Sequence, residues 1–325
     1  MRAFVTGATG FVGGHLVDAL LARGDEVTAL VRSPDKAKEL ARRGVRLVVG
    51  TLDGTEPLDR AVAGAEVIYH VAGLTAARSE AEFLATNRDG TARLLAAARQ
   101  VGQVGQARVV LVSSLAAAGP ALEGRPLEGN EAPRPVTRYG RSKLAAEDVL
   151  KSGPLPWTII RPPAVYGPAD REMFRVFRAA SLGVVPVFGD GSQRLSLVFG
   201  PDLAAAIAAA GATEATIGGT YYACHPEIIT SRQLVETAAA AAGRRVRIIG
   251  LPEPLARGIL WATDSAARLA NRATVLSLDK AAEFFAPAWI ADPSGLTRAA
   301  GWAAEHSFAQ GARRTWEWYR AHAWL

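Results

Sequence analysis

The chain is poor in several residues that particular chemistries require. A single cysteine, Cys224, stands among 325 residues, so no internal disulfide can form, and five scattered histidines offer no zinc-ligand spacing. No metal is expected. Lysine is scarce too, with five against 32 arginines. The arginines are dispersed, without the basic runs and interleaved aromatics of a nucleic-acid patch. The net charge of +6 is read as solvated helix faces, and no nucleic-acid partner is expected. No apolar run reaches the roughly 18 residues that cross a bilayer, the longest being Ala-rich stretches at 203–210 and 237–242. Met1 leads straight into a strand pattern, without a charged region and a long apolar stretch behind it. The expectation is a cytoplasmic protein with no signal peptide and no membrane span.

What is present is globular. Hydrophobic residues make up 49% and charged residues 21%, which excludes collagen-like and disordered compositions. Short β-branched runs predict strands at 3–6, 27–31, 46–49, 67–70, 109–113 and 157–161, and helical periodicity lies between them at 13–23, 58–63, 81–101 and 139–151. That alternation predicts an α/β fold, a doubly wound parallel sheet with helices on both faces. After Pro162 the pattern loosens under Gly and Pro punctuation, which predicts a smaller C-terminal lobe. The expected division is a dinucleotide-binding domain of residues 1–166, rejoined by about 200–224, and a substrate-binding lobe of 167–199 and 225–325.

The first strand runs into TGATGFVGG, with Gly7, Gly10 and Gly13 around Thr9, Phe11 and Val12. Glycines here allow a tight turn, close approach of the backbone to a pyrophosphate, and close packing of helix on strand. A strand before and a helix after give this loop its meaning as a dinucleotide cradle. The second strand ends in Arg32 and Ser33 rather than in an acid. A guanidinium there suits the 2′-phosphate of NADP(H), which is favoured over NAD(H); in the alternative, Asp35 reaches back to a ribose hydroxyl.

The fifth strand ends in Ser113 and Ser114, and YGRSK follows with Tyr139 and Lys143 four apart. Positions i and i+4 share a helix face. The Lys143 ammonium is therefore expected beside the Tyr139 phenol, drawing its pKa down from about 10 towards neutrality for proton exchange.

TGATGFVGG, HVAG at 70–73, Asn87, VSS, YGRSK and RPPAVYGP at 161–168 together resemble the extended short-chain dehydrogenase/reductase family, with motifs nearest to its 3-beta-hydroxysteroid dehydrogenase-like and dihydroflavonol reductase-like members. The resemblance spans nearly the whole chain and implies a Rossmann fold. It implies that Ser114 orients the substrate oxygen, Tyr139 exchanges the proton, and Lys143 holds the ribose and tunes the tyrosine. Ser114 is preferred to Ser113 because it lies five before Gly119. The same resemblance places Leu52, Asp53, Val71, Ala72, Gly73, Asn87, Pro162 and Val165 along the cofactor site. Asn87 could equally be a polar residue of its helix, and His70 reads as packing or capping. A homodimer through helices 81–101 and 139–151 is expected.

Three departures bear on substrate. Leu115 and Ala116 stand where sugar-nucleotide dehydratases carry an Asp-Glu pair, Ala164 stands where many epimerases carry Asn, and Thr51 takes the usual Asp position of GTLD. The expected activity is NADP(H)-dependent interconversion of a ketone or aldehyde and an alcohol on a fairly apolar small molecule. The alternatives are a nucleotide-sugar epimerase and a non-catalytic NADP-sensing protein. The substrate wall is expected from residues 173–182, the FGDGSQR segment at 188–194 and the amphipathic stretch 255–272. Arg194 would grip a phosphate or pair with an aspartate, and the terminal aromatics Trp316, Trp318, Tyr319 and Trp324 read as packing.

Overall fold

The computed structural model describes residues 1–101 and 107–325. Its first half alternates strand and helix as the periodicity requires: β1 (Arg2–Thr6), α1 (Phe11–Ala22), β2 (Glu26–Val31), α2 (Lys38–Arg42), β3 (Arg46–Val49), α3 (Thr55–Val62), β4 (Val67–His70), α4 (Glu80–Val101), β5 (Arg108–Val112), α5 (Leu115–Ala118), α6 (Arg138–Lys151) and β6 (Trp157–Arg161). The second half follows with β7 (Ala164–Tyr166), α7 (Glu172–Ser181), β8 (Val184–Phe188), β9 (Arg194–Phe199), α8 (Gly200–Ala212), β10 (Thr220–Tyr222), β11 (Ile228–Thr230), α9 (Ser231–Ala241), β12 (Arg247–Leu251), α10 (Glu253–Leu269), α11 (Ala281–Phe284), β13 (Ala288–Trp289), α12 (Ser294–Ala300) and α13 (Phe308–Ala321).

Seven parallel strands form the main sheet in the order β10-β6-β5-β4-β1-β2-β3. The order reverses between β1 and β4, the switch point at which open α/β sheets place a ligand at the carboxyl ends of their strands. Strands covered on both faces read as continuous apolar runs; β5 is buried along its whole length. On one face Leu16, Val17 and Leu20 of α1 and Leu203, Ile207 and Ala210 of α8 close the core. On the other, Leu94, Leu95 and Ala98 of α4 and Ala146 and Leu150 of α6 do so.

The remaining strands lie apart from this sheet. β9 pairs with β7, β11 and β13, and β8 pairs with β12. A separate core around Phe177, Leu197, Phe199, Leu234 and Tyr319 holds these strands to α7, α9 and α13. The terminal aromatics belong here: Tyr319 stacks on Trp324 at 5.5 Å, and Trp318 meets Trp324 edge-on at 5.0 Å.

Candidate active site

The turn after β1 is shaped by contacts that exclude side chains. Gly7 has φ +76°, and a Cβ there would stand 2.8 Å from the Ala72 nitrogen; a Cβ on Gly13 would fall 2.0 Å from the Gly7 carbonyl oxygen. The loop therefore lies flat against residues 71–72, closed by Gly10 N–H donating to Gly7 at 2.9 Å. Gly10 caps α1 with no side-chain hydrogen bond, and Thr9 and Gly10 are exposed. Backbone N–H groups at an uncapped helix start, beside glycines that clear the approach, fit the pyrophosphate of a dinucleotide.

Behind the loop, burial selects one tautomer of His70. Thr91 Oγ1 donates its one proton to the Asn87 carbonyl at 2.6 Å and so accepts from His70 Nε2 at 3.0 Å, which leaves Nδ1 to accept from Thr6 Oγ1 at 2.7 Å while Thr6 accepts from Ala72 N at 3.1 Å. The ring is fully buried, and desolvation, with Lys143 adding to it, pushes its pKa down to about 3. It is a neutral strut.

Asn87 does similar work one turn away. Its Oδ1 accepts from Leu74 N at 2.8 Å, and its Nδ2 donates to Leu74 O at 3.2 Å and to Ser142 Oγ at 2.8 Å. Ser142 in turn donates to the Tyr139 carbonyl at 2.8 Å. The 71–74 segment is thereby tied to α6, with Gly73 beside Asn87 and the Lys143 ammonium.

Helix α6 starts where Thr137 accepts from Gly140 N–H. Gly140 lets this turn press on α5, since a Cβ would stand 2.3 Å from the Ala116 carbonyl oxygen. That approach sets Tyr139 against Ser114, whose Oγ also caps α5 by accepting from Ala116 N at 3.1 Å. Ser113 points the other way and donates to Glu147 at 2.5 Å. Glu147 is buried and held by Arg161 through Nε at 2.9 Å and a terminal nitrogen at 2.6 Å. The two serines at the strand end are thus separated by function: one faces the phenol, the other an internal ion pair.

The expected drop in the Tyr139 pKa is corrected. Burial, opposed by the Ser114 hydroxyl, pushes the phenol up to about 12. Lys143 is also buried, donates to the Val112 carbonyl at 2.7 Å and is pushed down to about 8 by desolvation. Its ammonium is turned onto the strand end. A second lysine, Lys280, lies over the Tyr139 ring at 4.9 Å. It pairs with Glu283 at 2.5 Å, Glu283 accepts from Thr137 Oγ1 at 2.6 Å, and Asp279 accepts from Arg138 N at 3.0 Å. Residues 279–283 are therefore latched to the first turn of α6.

A cleft of about 260 Å³ opens above Tyr139. Its walls are Thr75, Ala77, Arg78 and Phe83 on one side and Asp264, Arg268, Thr274 and residues 277–280 on the other, with Arg138 at the base. Of the three expected wall segments only 255–272 lines this cleft, and it does so through Asp264 and Arg268 alone. Residues 173–182 turn Phe177 and Ala180 into the C-terminal core, and in the FGDGSQR segment Gln193 donates to the carbonyls of Glu283, Phe284 and Ala286. Arg194 forms no ion pair with an aspartate among the described residues; it donates to the Gly124 carbonyl at 2.8 Å.

The other expected cofactor residues fall along the strand ends. Arg32 is exposed at the end of β2 and forms no ion pair among the described residues, whereas Asp35 is held by Lys38 at 2.8 Å. Leu52 lies under α4 against Gly90, and the Asp53 carboxylate accepts from Arg93 at 2.7 Å. Phe11 packs edge-on against His15 at 5.4 Å, and Val12 and Val165 pack at the rim of the core under the sheet. Pro162 is buried and accepts from Leu115 N at 2.8 Å. Sequence reasoning missed Ser142, Glu147, Lys280 and Glu283. Glu147 carried a signal, four residues past Lys143 on one face; Lys280 carried none.

A doubly wound sheet, a glycine cradle at its switch point and a Ser-Tyr-Lys set under a cleft define an NAD(P)-dependent enzyme of the short-chain dehydrogenase/reductase type. The chain belongs to the NAD dependent epimerase/dehydratase family, whose model matches residues 3–224. It is 36% identical to a ceramide reductase of Caulobacter vibrioides over 325 residues, 99% of this chain and 95% of that one. A 3-beta-hydroxysteroid dehydrogenase of Mycolicibacterium neoaurum is 30% identical over 271 residues, covering 75% of this chain and 71% of the other. The NAD complex of the Thermus thermophilus UDP-glucose 4-epimerase superposes with a TM-score of 0.78 at 26% identity, covering 98% of this chain and 99% of that one. The coarse activity is NAD(P)-dependent oxidoreductase or epimerase chemistry.

Proposed function

We propose that the protein is an NADP(H)-dependent reductase of a ketone or aldehyde, or the reverse alcohol dehydrogenase, acting on a small molecule with an apolar body. The carrying observation is the charge state of the cleft. Each of its four cations already holds an acid: Arg78 with Glu82, Arg138 with Asp279 at 3.8 Å, Arg268 with Asp264 at 2.9 Å and Lys280 with Glu283 at 2.5 Å. Among the described residues the cleft has no unpaired cation to take the diphosphate of a nucleotide sugar. Leu115 and Ala116 add that no acid follows Ser114 for loss of water. The names of the ceramide and hydroxysteroid relatives point the same way, to substrates with large apolar bodies.

When bound, the dinucleotide supplies or accepts the hydride. In the reductive direction Tyr139, kept as a neutral O–H by its burial, donates its proton to the substrate oxygen as negative charge develops there. The Ser114 hydroxyl donates to the same oxygen and orients it. Lys143 holds the ribose side of the site and supports the phenolate that Tyr139 becomes. The NADP(H) preference is supported by the exposed guanidinium of Arg32 and the engagement of Asp35 with Lys38.

Residues 1–166 with 200–224 serve the dinucleotide, and 167–199 with 225–325 serve the substrate. The protein pairs as a homodimer through α4 and α6, a reading supported by exposed Ala81, Ala85, Ala92 and Ala96 along the outer face of α4; a monomer by light scattering at micromolar concentration would contradict it. The activity is tested by incubating the protein with NADPH and either apolar ketones and aldehydes or UDP-, GDP- and dTDP-sugars. Tyr139→Phe is expected to lower ketone turnover by at least about 100-fold while cofactor binding survives. Epimer formation without net NADPH oxidation would overturn the reading.

A further inference from the structure

We propose that the outer face of α10 docks on an anionic lipid bilayer, lying in the plane of the interface with the cleft at its edge. The proposal deepens the reductase reading and rests on it for the purpose it serves, delivery of an apolar substrate from lipid.

The helix has two apolar faces and only one is covered. Ala256 and Leu260 are buried, and Thr263 and Ala267 lie half-buried on the same stripe. On the opposite side Pro254, Leu255, Gly258, Ile259, Trp261, Ala262, Ala266 and Leu269 are all exposed. At 3.6 residues per turn they sweep an arc of roughly 160° that holds no charge. The bulky members are far out of the protein: Leu255 is 56% exposed, Ile259 45%, Trp261 63% and Leu269 91%. A solvated helix turns its charges outward. Here Glu253, Arg257, Asp264 and Arg268 are confined to one ridge along the border of the arc, pairing as Glu253–Arg257 at 2.8 Å and Asp264–Arg268 at 2.9 Å.

Charge complementarity chooses the occupant. Between residues 244 and 272 stand six arginines, Arg244, Arg245, Arg247, Arg257, Arg268 and Arg272, against two acids, Glu253 and Asp264, so this stretch carries +4 of the chain's +6. Exposed apolar surface continues at Ile249 in β12, the strand that leads to the helix, and at Val184 in its sheet partner β8. A large apolar face, a tryptophan at its edge beside a charged ridge, and an arginine-rich segment at 244–247 leading into the helix through β12 are the features of a helix that lies in a headgroup layer. Among the described residues no helix is long and apolar enough to cross the bilayer, so the helix lies on the surface. Its position matters to the site: Asp264 and Arg268 on the ridge also wall the cleft. A substrate leaving the lipid beside α10 would reach the cleft without crossing bulk water.

The test is flotation with phosphatidylcholine vesicles, with and without about one third phosphatidylglycerol. Wild type is expected to float with the anionic vesicles, to be released by salt, and to ignore phosphatidylcholine alone. Two triple variants, Leu255→Gln with Ile259→Gln and Trp261→Gln, and Arg244→Gln with Arg245→Gln and Arg247→Gln, are each expected to lose at least about tenfold in partitioning. Neither set lines the cleft, so turnover of a water-soluble ketone should be unchanged in both, which also reports that they fold. Wild type left unbound by anionic vesicles at low salt, an apolar-arc variant that floats as wild type does, or self-association through the arc in place of flotation would overturn the proposal. Flotation without ketone turnover would sink the reductase reading and keep the membrane face; turnover without flotation would do the reverse.

Discussion

Two neighbouring glycines at the start of α1 put the dinucleotide cradle to its sharpest test. A methyl group on Gly13 would stand 2.0 Å from the Gly7 carbonyl oxygen and 2.7 Å from its carbonyl carbon. These are backbone atoms, which no rotamer change can clear. Ordinary contact begins at 3.4 Å, so Gly13→Ala drives α1 and the loop about 1.4 Å apart. The N–H groups that would face the pyrophosphate sit in this turn, and losing one hydrogen bond to a charged group costs about 1.5–3 kcal/mol, on the order of 10- to 100-fold in binding. The dissociation constant for NADPH should therefore rise by about that factor. Gly14→Ala is the control, because its methyl meets only the Ala8 carbonyl oxygen at 3.9 Å. There the exchange removes a glycine from a helix interior, which stabilises by about 0.5–1 kcal/mol, and binding should not change. Fluorescence titration of NADPH with parallel thermal melts reads both effects. A folded Gly13→Ala protein that binds as wild type does, or a Gly14→Ala protein equally impaired, refutes the packing argument.

Glu147→Ala removes the acid from a buried ion pair and strands the Arg161 guanidinium, which costs about 3–5 kcal/mol; a loss below about 1 kcal/mol in urea unfolding would show the pair to be dispensable. Arg32→Ala should weaken NADPH by about tenfold and leave NADH unchanged; wild type that binds NADH as tightly as NADPH contradicts the preference. Lys143 supplies a pH signature. Its folded pKa of about 8 lies below the ordinary lysine value of 10.5, so between these values the unfolded chain binds more protons and stability rises with pH. Wild type should accordingly gain on Lys143→Met as pH is raised from 8 towards 10, and an unfolding midpoint of wild type minus that of the variant that stays flat or falls would place the ammonium in a solvated site.

Local patterns carried much of the fold because burial repeats along a chain. The strands at 46–49, 67–70 and 157–161 stand at the residues their β-branched runs indicated, and the helix expected over 139–151 begins one residue earlier, where Thr137 supplies the cap. The short helices α2 and α5 escaped, having too few turns for a periodic signal. In the site, Tyr139 and Lys143 share a face as their spacing requires, yet the two groups have different partners. Spacing along a helix fixes which side residues occupy; the atoms that desolvate or accept from them belong to other elements.

That division accounts for what each level decided. The order of strands and helices, the glycine turn and the presence of Ser114, Tyr139 and Lys143 on adjoining elements were determined by the sequence alone, since each follows from contacts between near neighbours. Only the tertiary structure decided that burial raises the Tyr139 phenol instead of Lys143 lowering it, and that Ser113 serves Glu147 while Ser114 faces the phenol. It also brought Lys280 over Tyr139 from 141 positions away and left one face of α10 bare. Desolvation and ion pairing act through space, between segments whose separation along the chain carries no record of their meeting.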